Sequence, residues 1–142
     1  LRWDSLGEYM ALAASLQHLG ESFRNAGALV LSDALEKATS QYLKNARSPS
    51  RKVHEMDNRG STFYLTTYWA RALADQATDP ALADRFQPVA RALEEKEEVI
   101  MGELNGAQGP PQDIGGYYKP DFERATAAMC PSSTLNGIIA GI

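Results

Sequence analysis

Apolar residues recur every three or four positions along most of this chain, the spacing of amphipathic helices rather than the alternation of strands. Leu6, Tyr9, Met10, Ala13, Leu16 and Leu19 form a first stripe. Ser5-Leu6-Gly7-Glu8 precedes it as an S-x-x-E capping box, and Gly20 stands where a helix stop is expected. The pattern predicts a helix from Leu6 to Leu19. A second is predicted from Ala26 to Asn45, with Leu31, Leu35, Ala38 and Tyr42 on one face and Glu36, Lys37, Gln41 and Lys44 on the other. Pro49 and its flanking serines are expected to end it.

A third helix, Ser61 to Ala77, carries Phe63, Tyr64, Leu65, Tyr68, Trp69 and Leu73. Its aromatics exceed one narrow stripe, so it is expected to be central and the most buried, with Phe63 and Trp69 facing the core. Asp79-Pro80 opens a short turn over Ala81 to Phe86, and Pro88 reads as the first turn of a longer helix to Asn105. The Gly109–Tyr118 stretch is a connector whose tyrosines are expected to pack down. Asp121 caps a helix to Met129, and Pro131 opens a last one ending in Ile138, Ile139 and Ile142. The fold class is therefore mainly α, with about five to seven helices.

Composition narrows the function classes. At 142 residues, 44% hydrophobic and 23% charged, the chain fits one globular domain or a piece of one. A net charge of −4 argues against a nucleic-acid partner. No run spans a bilayer, and no signal pattern opens the chain. Cys130 is the only cysteine, which excludes an internal disulfide and fits a cytoplasmic location. Leu1 stands where an initiator Met is expected, so the chain reads as part of a longer one.

Candidate chemistry concentrates in SPSRKVHEMDNRGSTFYLTTYWA, Ser48 to Ala70. Arg47, Arg51, Lys52 and Arg59 cluster there against a helix start with Asp57, Asn58 and Ser61 as candidate caps. A helix N-terminus beside cations suits an anion; the plainer reading is a turn whose arginines are solvated. Arg2 lies just ahead of the first helix, where a bound anion would also sit. Trp3, by residue type, reads as a core anchor, and His54 as a surface histidine. Glu94, Glu95, Glu97 and Glu98 lack convergent Asp or His partners and read as a solvated face rather than a metal site.

LRWDSLGEYMALA, SPSRKVHEMDNRGSTFYLTTYWA and DIGGYYKPD together resemble the C-terminal part of the monomeric-type NADP-dependent isocitrate dehydrogenases, across essentially the whole chain. The resemblance implies that residues 1–142 are the helical C-terminal portion of the small domain of a two-domain α/β dehydrogenase, with NADP and the metal–isocitrate pair bound between domains. It implies that Arg2 meets the adenosine 2′-phosphate, that Trp3 and Asp4 belong to the same cofactor wall, and that Arg51 is a second cofactor-binding arginine. Two guanidinium groups suit phosphate oxygens better than lysines do.

The family's metal ligands (for Mg²⁺ or Mn²⁺), substrate-binding residues and catalytic lysine and tyrosine have no counterpart here. The implied partners are isocitrate, NADP and the remainder of the same polypeptide, with no nucleic acid and no membrane. Apolar surface left uncovered by that remainder is expected to form a large exposed patch. The alternative is a free-standing, non-catalytic helical module that retains an anion site.

Overall fold

The computed structural model describes all residues, Leu1–Ile142, as seven helices with no strand. They are α1 (Leu6–Phe23), α2 (Ala26–Lys44), α3 (Asn58–Asp75), α4 (Pro80–Glu95), α5 (Glu97–Gly106), α6 (Phe122–Met129) and α7 (Ser133–Ala140). Neighbours in sequence are neighbours in space: α1 packs on α2, α2 on α3 and α3 on α4, while α5 and α7 close the far side.

The aromatic helix α3 is central, as its composition implies. Phe63, Tyr64 and Ala70 meet Ala90, Leu93, Ile100 and Leu104 of α4 and α5 in one cluster. Leu65 joins Ala13, Leu35, Ala38 and Tyr42 of α1 and α2 in a second, and Leu73 meets Val30 and Ala34 in a third. Trp69 is half-buried rather than fully enclosed. It packs against the second and third clusters, and its indole N–H donates to the Leu31 carbonyl at 3.0 Å.

Several boundaries differ from the pattern for local reasons. Gly20 does not stop α1; it is buried where the Leu29 side chain of α2 crosses, and a Cβ there would lie 2.5 Å from Leu29. The stop comes at Arg24, in the left-handed conformation (φ 52°). Ser5 makes no side-chain capping bond; Asp4 instead accepts from the Leu6 N–H at 3.0 Å. The end of α2 falls at Asn45 and Ala46 (φ 51°), before Pro49 can act.

Pro88 lies inside α4, not at a helix start. The break expected near it falls at Lys96. Proline removes one intrahelical bond, but Phe86, Val89, Ala90 and Leu93 all face the core and hold α4 continuous.

The Gly109–Tyr118 connector does not pack down as expected. Tyr117 is 88% exposed and Tyr118 97%, and Phe122 beside them is 83% exposed. Phe23 also stands out from the end of α1, 73% exposed.

Two consequences are measurable. Trp69→Ala removes an indole from two clusters and should cost about 3 kcal/mol; an unchanged urea midpoint would contradict the packing. Glu103 holds α7 to α5, accepting from Ser132 Oγ, Ser133 Oγ, and Thr134 N–H and Oγ1. The bonds from Ser132 and Thr134 keep its carboxyl below the ordinary 4.5. A depressed folded value means that the stabilisation is present above the ordinary value and lost as pH falls through the depressed one. Ile138 methyl signals in NMR should therefore move toward random-coil positions on acidification, and do so already at neutral pH in Glu103→Gln. Signals that stay put in both cases would rule out this link.

Candidate functional site

The site is built where the N-terminal segment crosses the loop between α2 and α3. Asn58, at the start of α3, pins that segment on both sides of Arg2. Its backbone N–H donates to the Leu1 carbonyl at 2.9 Å, and its Nδ2 donates to the Trp3 carbonyl at 3.1 Å. The loop closes on itself through Ser50 N–H to the Met56 carbonyl, at 2.8 Å. Ser50 Oγ donates to Glu55 and accepts from the Lys52 N–H. His54 sits at φ 68°, in the left-handed region, which turns the chain back toward α3. The excursion leaves Arg51 exposed at its crest, with no hydrogen bond or ion pair to its side chain.

Arg2 is held firmly. Its Nη1 donates to the carbonyls of Ser50 (2.9 Å), Glu55 (3.2 Å) and Met56 (3.3 Å). Its Nη2 donates to Gln108 Oε1. Each of these acceptors is uncharged, so the guanidinium is fixed without being neutralised. Its bond to the Ser50 carbonyl holds the loop one residue before Arg51.

The other cations of the expected cluster face partners of their own. Arg59 forks onto Asp57 at 2.7 and 3.0 Å and donates to the Ala128 carbonyl at 2.8 Å. Asp57 also caps α3, accepting from the N–H groups of Arg59 and Gly60. The anion site read at this helix N-terminus is therefore filled by the chain's own carboxylate, and a second anion would meet repulsion there. Arg47 turns away, its guanidinium carbon 3.7 Å from the Tyr64 ring centroid and its Nε donating to Tyr68 Oη at 3.1 Å. Lys52 lies 3.7 Å from Glu55.

Trp3 is not the core anchor that its type suggests. It is 48% exposed, with its indole N–H donating to Ser5 Oγ at 3.1 Å. Asp4 ties α1 to α2, accepting from Tyr42 Oη at 2.9 Å. Burial pushes the Asp4 carboxyl up, but hydrogen bonds from Ser48, the Leu6 N–H and Tyr42 together hold it below its ordinary value. Burial, and then the bond to Asp4, push Tyr42 up to about 12.

Beside Arg2 lies a cavity of about 530 Å³, with Leu1, Val53, Ile114 and Met129 among its apolar walls and Arg59 and Gln108 among its polar ones. Of the four residues that the resemblance assigns to the cofactor, Arg2 alone lines it. Gln108 is the residue that sequence reasoning missed. It follows α5, is 7% exposed and belongs to no motif spacing that would flag it. No group of three or more His, Cys, Asp or Glu side chains converges anywhere in the chain, and no helix is long and apolar enough to cross a membrane.

Comparison with known proteins supplies the family. Residues 1–140 match the family model for monomeric isocitrate dehydrogenase. The chain is 54% identical over 140 residues to the isocitrate dehydrogenase (NADP) of Azotobacter vinelandii, covering 99% of this chain and 19% of that protein. It is likewise 54% identical over 142 residues to isocitrate dehydrogenase (NADP) 2 of Colwellia maris, covering 100% of this chain and 19% of the relative. The corresponding enzyme of Corynebacterium glutamicum is 50% identical over 139 residues, 98% of this chain and 19% of its own length. The chain thus spans about a fifth of the length of the relatives it matches. With a family match over nearly every residue and identities of 50% or more to these three relatives, the chain belongs to the monomeric isocitrate dehydrogenase family.

Proposed function

We propose that this chain is the C-terminal segment of the cofactor-binding small domain of an NADP-dependent isocitrate dehydrogenase, and that it grips the adenosine end of NADP. The observation that carries the reading is the state of Arg2: immobilised by four neutral acceptors and in no ion pair, although the Glu55 carboxylate is near enough to feel its charge. Arg51, exposed on the loop that Arg2 braces, supplies a second guanidinium. The 2′-phosphate is the group that distinguishes NADP from NAD, so a pair of unneutralised arginines suits it. Trp3, with its half-exposed ring, and Asp4, beside it, complete the proposed wall.

The whole polypeptide would oxidise isocitrate, pass a hydride to NADP and release CO₂ to give 2-oxoglutarate, as in the tricarboxylic acid cycle. A divalent Mg²⁺ or Mn²⁺, when bound, would polarise the substrate oxygens. Its ligands, and the acid–base groups, would come from the rest of the polypeptide, since no acidic cluster converges here. The fragment alone would hold cofactor-binding residues without catalysis. The exposed Phe23, Tyr117, Tyr118 and Phe122 fit burial against that remainder. The location that suits this chemistry is the cytoplasm.

Kinetics on the full-length polypeptide test the assignment. Arg2→Ala should lower kcat/KM for NADP by roughly ten- to hundredfold, the worth of a charge-assisted hydrogen bond, and leave NAD almost unchanged. Arg2→Asp should go further by adding repulsion. Arg51→Ala should also weaken NADP. Equal losses for both cofactors in the Arg2 variants would refute the 2′-phosphate assignment.

A further inference from the structure

We propose that Gln108 is a positioning residue for cofactor selectivity: its buried amide sets Arg2 and the Arg51-bearing loop in register without consuming the charge on Arg2. The inference rests on the proposed role of Arg2. Gln108 uses both ends of its amide. Oε1 accepts from Arg2 Nη2 and from the His54 N–H at 2.9 Å. Nε2 donates to the Glu55 carbonyl at 2.8 Å and to Asn105 Oδ1 at 3.3 Å. The Glu55 carbonyl also accepts from Arg2 Nη1. Arg2, the loop and Gln108 therefore close one ring of hydrogen bonds at the end of α5.

The chemistry of an amide explains why this residue type fits. A carboxylate could accept from Arg2 and His54, but it would neutralise the guanidinium and face the Glu55 carbonyl with no proton to give. An apolar side chain would leave the His54 N–H and the Glu55 carbonyl without this partner. Only a group that both donates and accepts, and carries no charge, braces the loop and keeps Arg2 cationic. Arg59 shows the opposite arrangement within the same chain: it is fixed by Asp57, and its charge is spent. Gly109 follows Gln108 at φ 102°, and a Cβ there would lie 3.0 Å from the His54 ring. That close approach keeps His54 and its N–H against the amide.

The test uses two variants in the full-length polypeptide, with Arg2→Ala measured in parallel. Gln108→Met removes the clamp without adding charge, and Gln108→Glu keeps the acceptor but adds an anion. Each should raise KM for NADP by about tenfold, in the range expected for a misplaced charge-assisted contact. Values of kcat at saturating NADP, and KM for NAD, should change by less than about twofold. In an Arg2→Ala, Arg51→Ala double background the Gln108→Met effect should vanish, because the residue acts through these two arginines. Calorimetric binding of 2′-AMP against 5′-AMP gives the same readout without turnover. Losses shared equally by NADP and NAD, or a Gln108→Met effect that persists without both arginines, would overturn the inference while leaving a selective Arg2→Ala result intact. If Arg2→Ala itself lost no selectivity, the reading of Arg2 would fall and the inference with it.

Discussion

A guanidinium surrounded only by carbonyl and amide oxygens is rigid and still cationic, and the rest of this site depends on that condition at Arg2. Four acceptors from two places in the chain converge on it: Ser50, Glu55 and Met56 from one loop, and Gln108 from the end of α5. Chain entropy opposes such an arrangement unless each segment is fixed beforehand. Asn58 fixes the N-terminal segment, the Ser50–Met56 bond fixes the loop, and the packing of Ile100 and Leu104 fixes α5. The helices thus matter to the site as a frame for one uncompensated charge.

The contrast with Arg59 shows how the fold sorts its cations. Both arginines line the same cavity. Arg59 belongs to the architecture: two of its nitrogens meet Oδ2 of Asp57, the residue whose Oδ1 caps α3, and a third reaches the end of α6 through the Ala128 carbonyl. A pair this buried contributes little to net stability but is costly to break from one side. Arg2 has no such partner, so an incoming phosphate has a charge left to meet.

Most of the fold was legible in the sequence because helical periodicity is a local property. Five of the seven helices match expected elements, α4 and α5 being divided at Lys96 rather than near Pro88, and Asp57 and Asp121 were both identified as candidate caps. Misreadings arose where a residue's local habit yields to its neighbours. Gly20 serves close packing against Leu29 instead of a stop, and Pro88 is carried inside α4 by the core on either side of it. Tyr117 and Tyr118, read as packing groups, find nothing in this chain to pack against. The site was less legible still. Spacing alone put Arg47, Lys52 and Arg59 level with Arg51: the Arg47 partners Tyr64 and Tyr68 are distant in sequence, and the nearby Glu55 and Asp57 read as loop and cap residues until the structure pairs them with Lys52 and Arg59. Family resemblance singled out Arg2 and Arg51. Gln108 carried no signal in either reading, since a lone glutamine after a helix has no spacing to betray its partners.

The most direct measurement is the structure of the full-length polypeptide with NADP bound, read at the 2′-phosphate. Phosphate oxygens should lie about 2.7–2.9 Å from nitrogen atoms of Arg2, with Arg51 turned toward the same adenosine end and Arg2 still held by Ser50 and Gln108. A 2′-phosphate that faces solvent, or that sits on other cations with Arg2 turned away, would contradict the role proposed for Arg2.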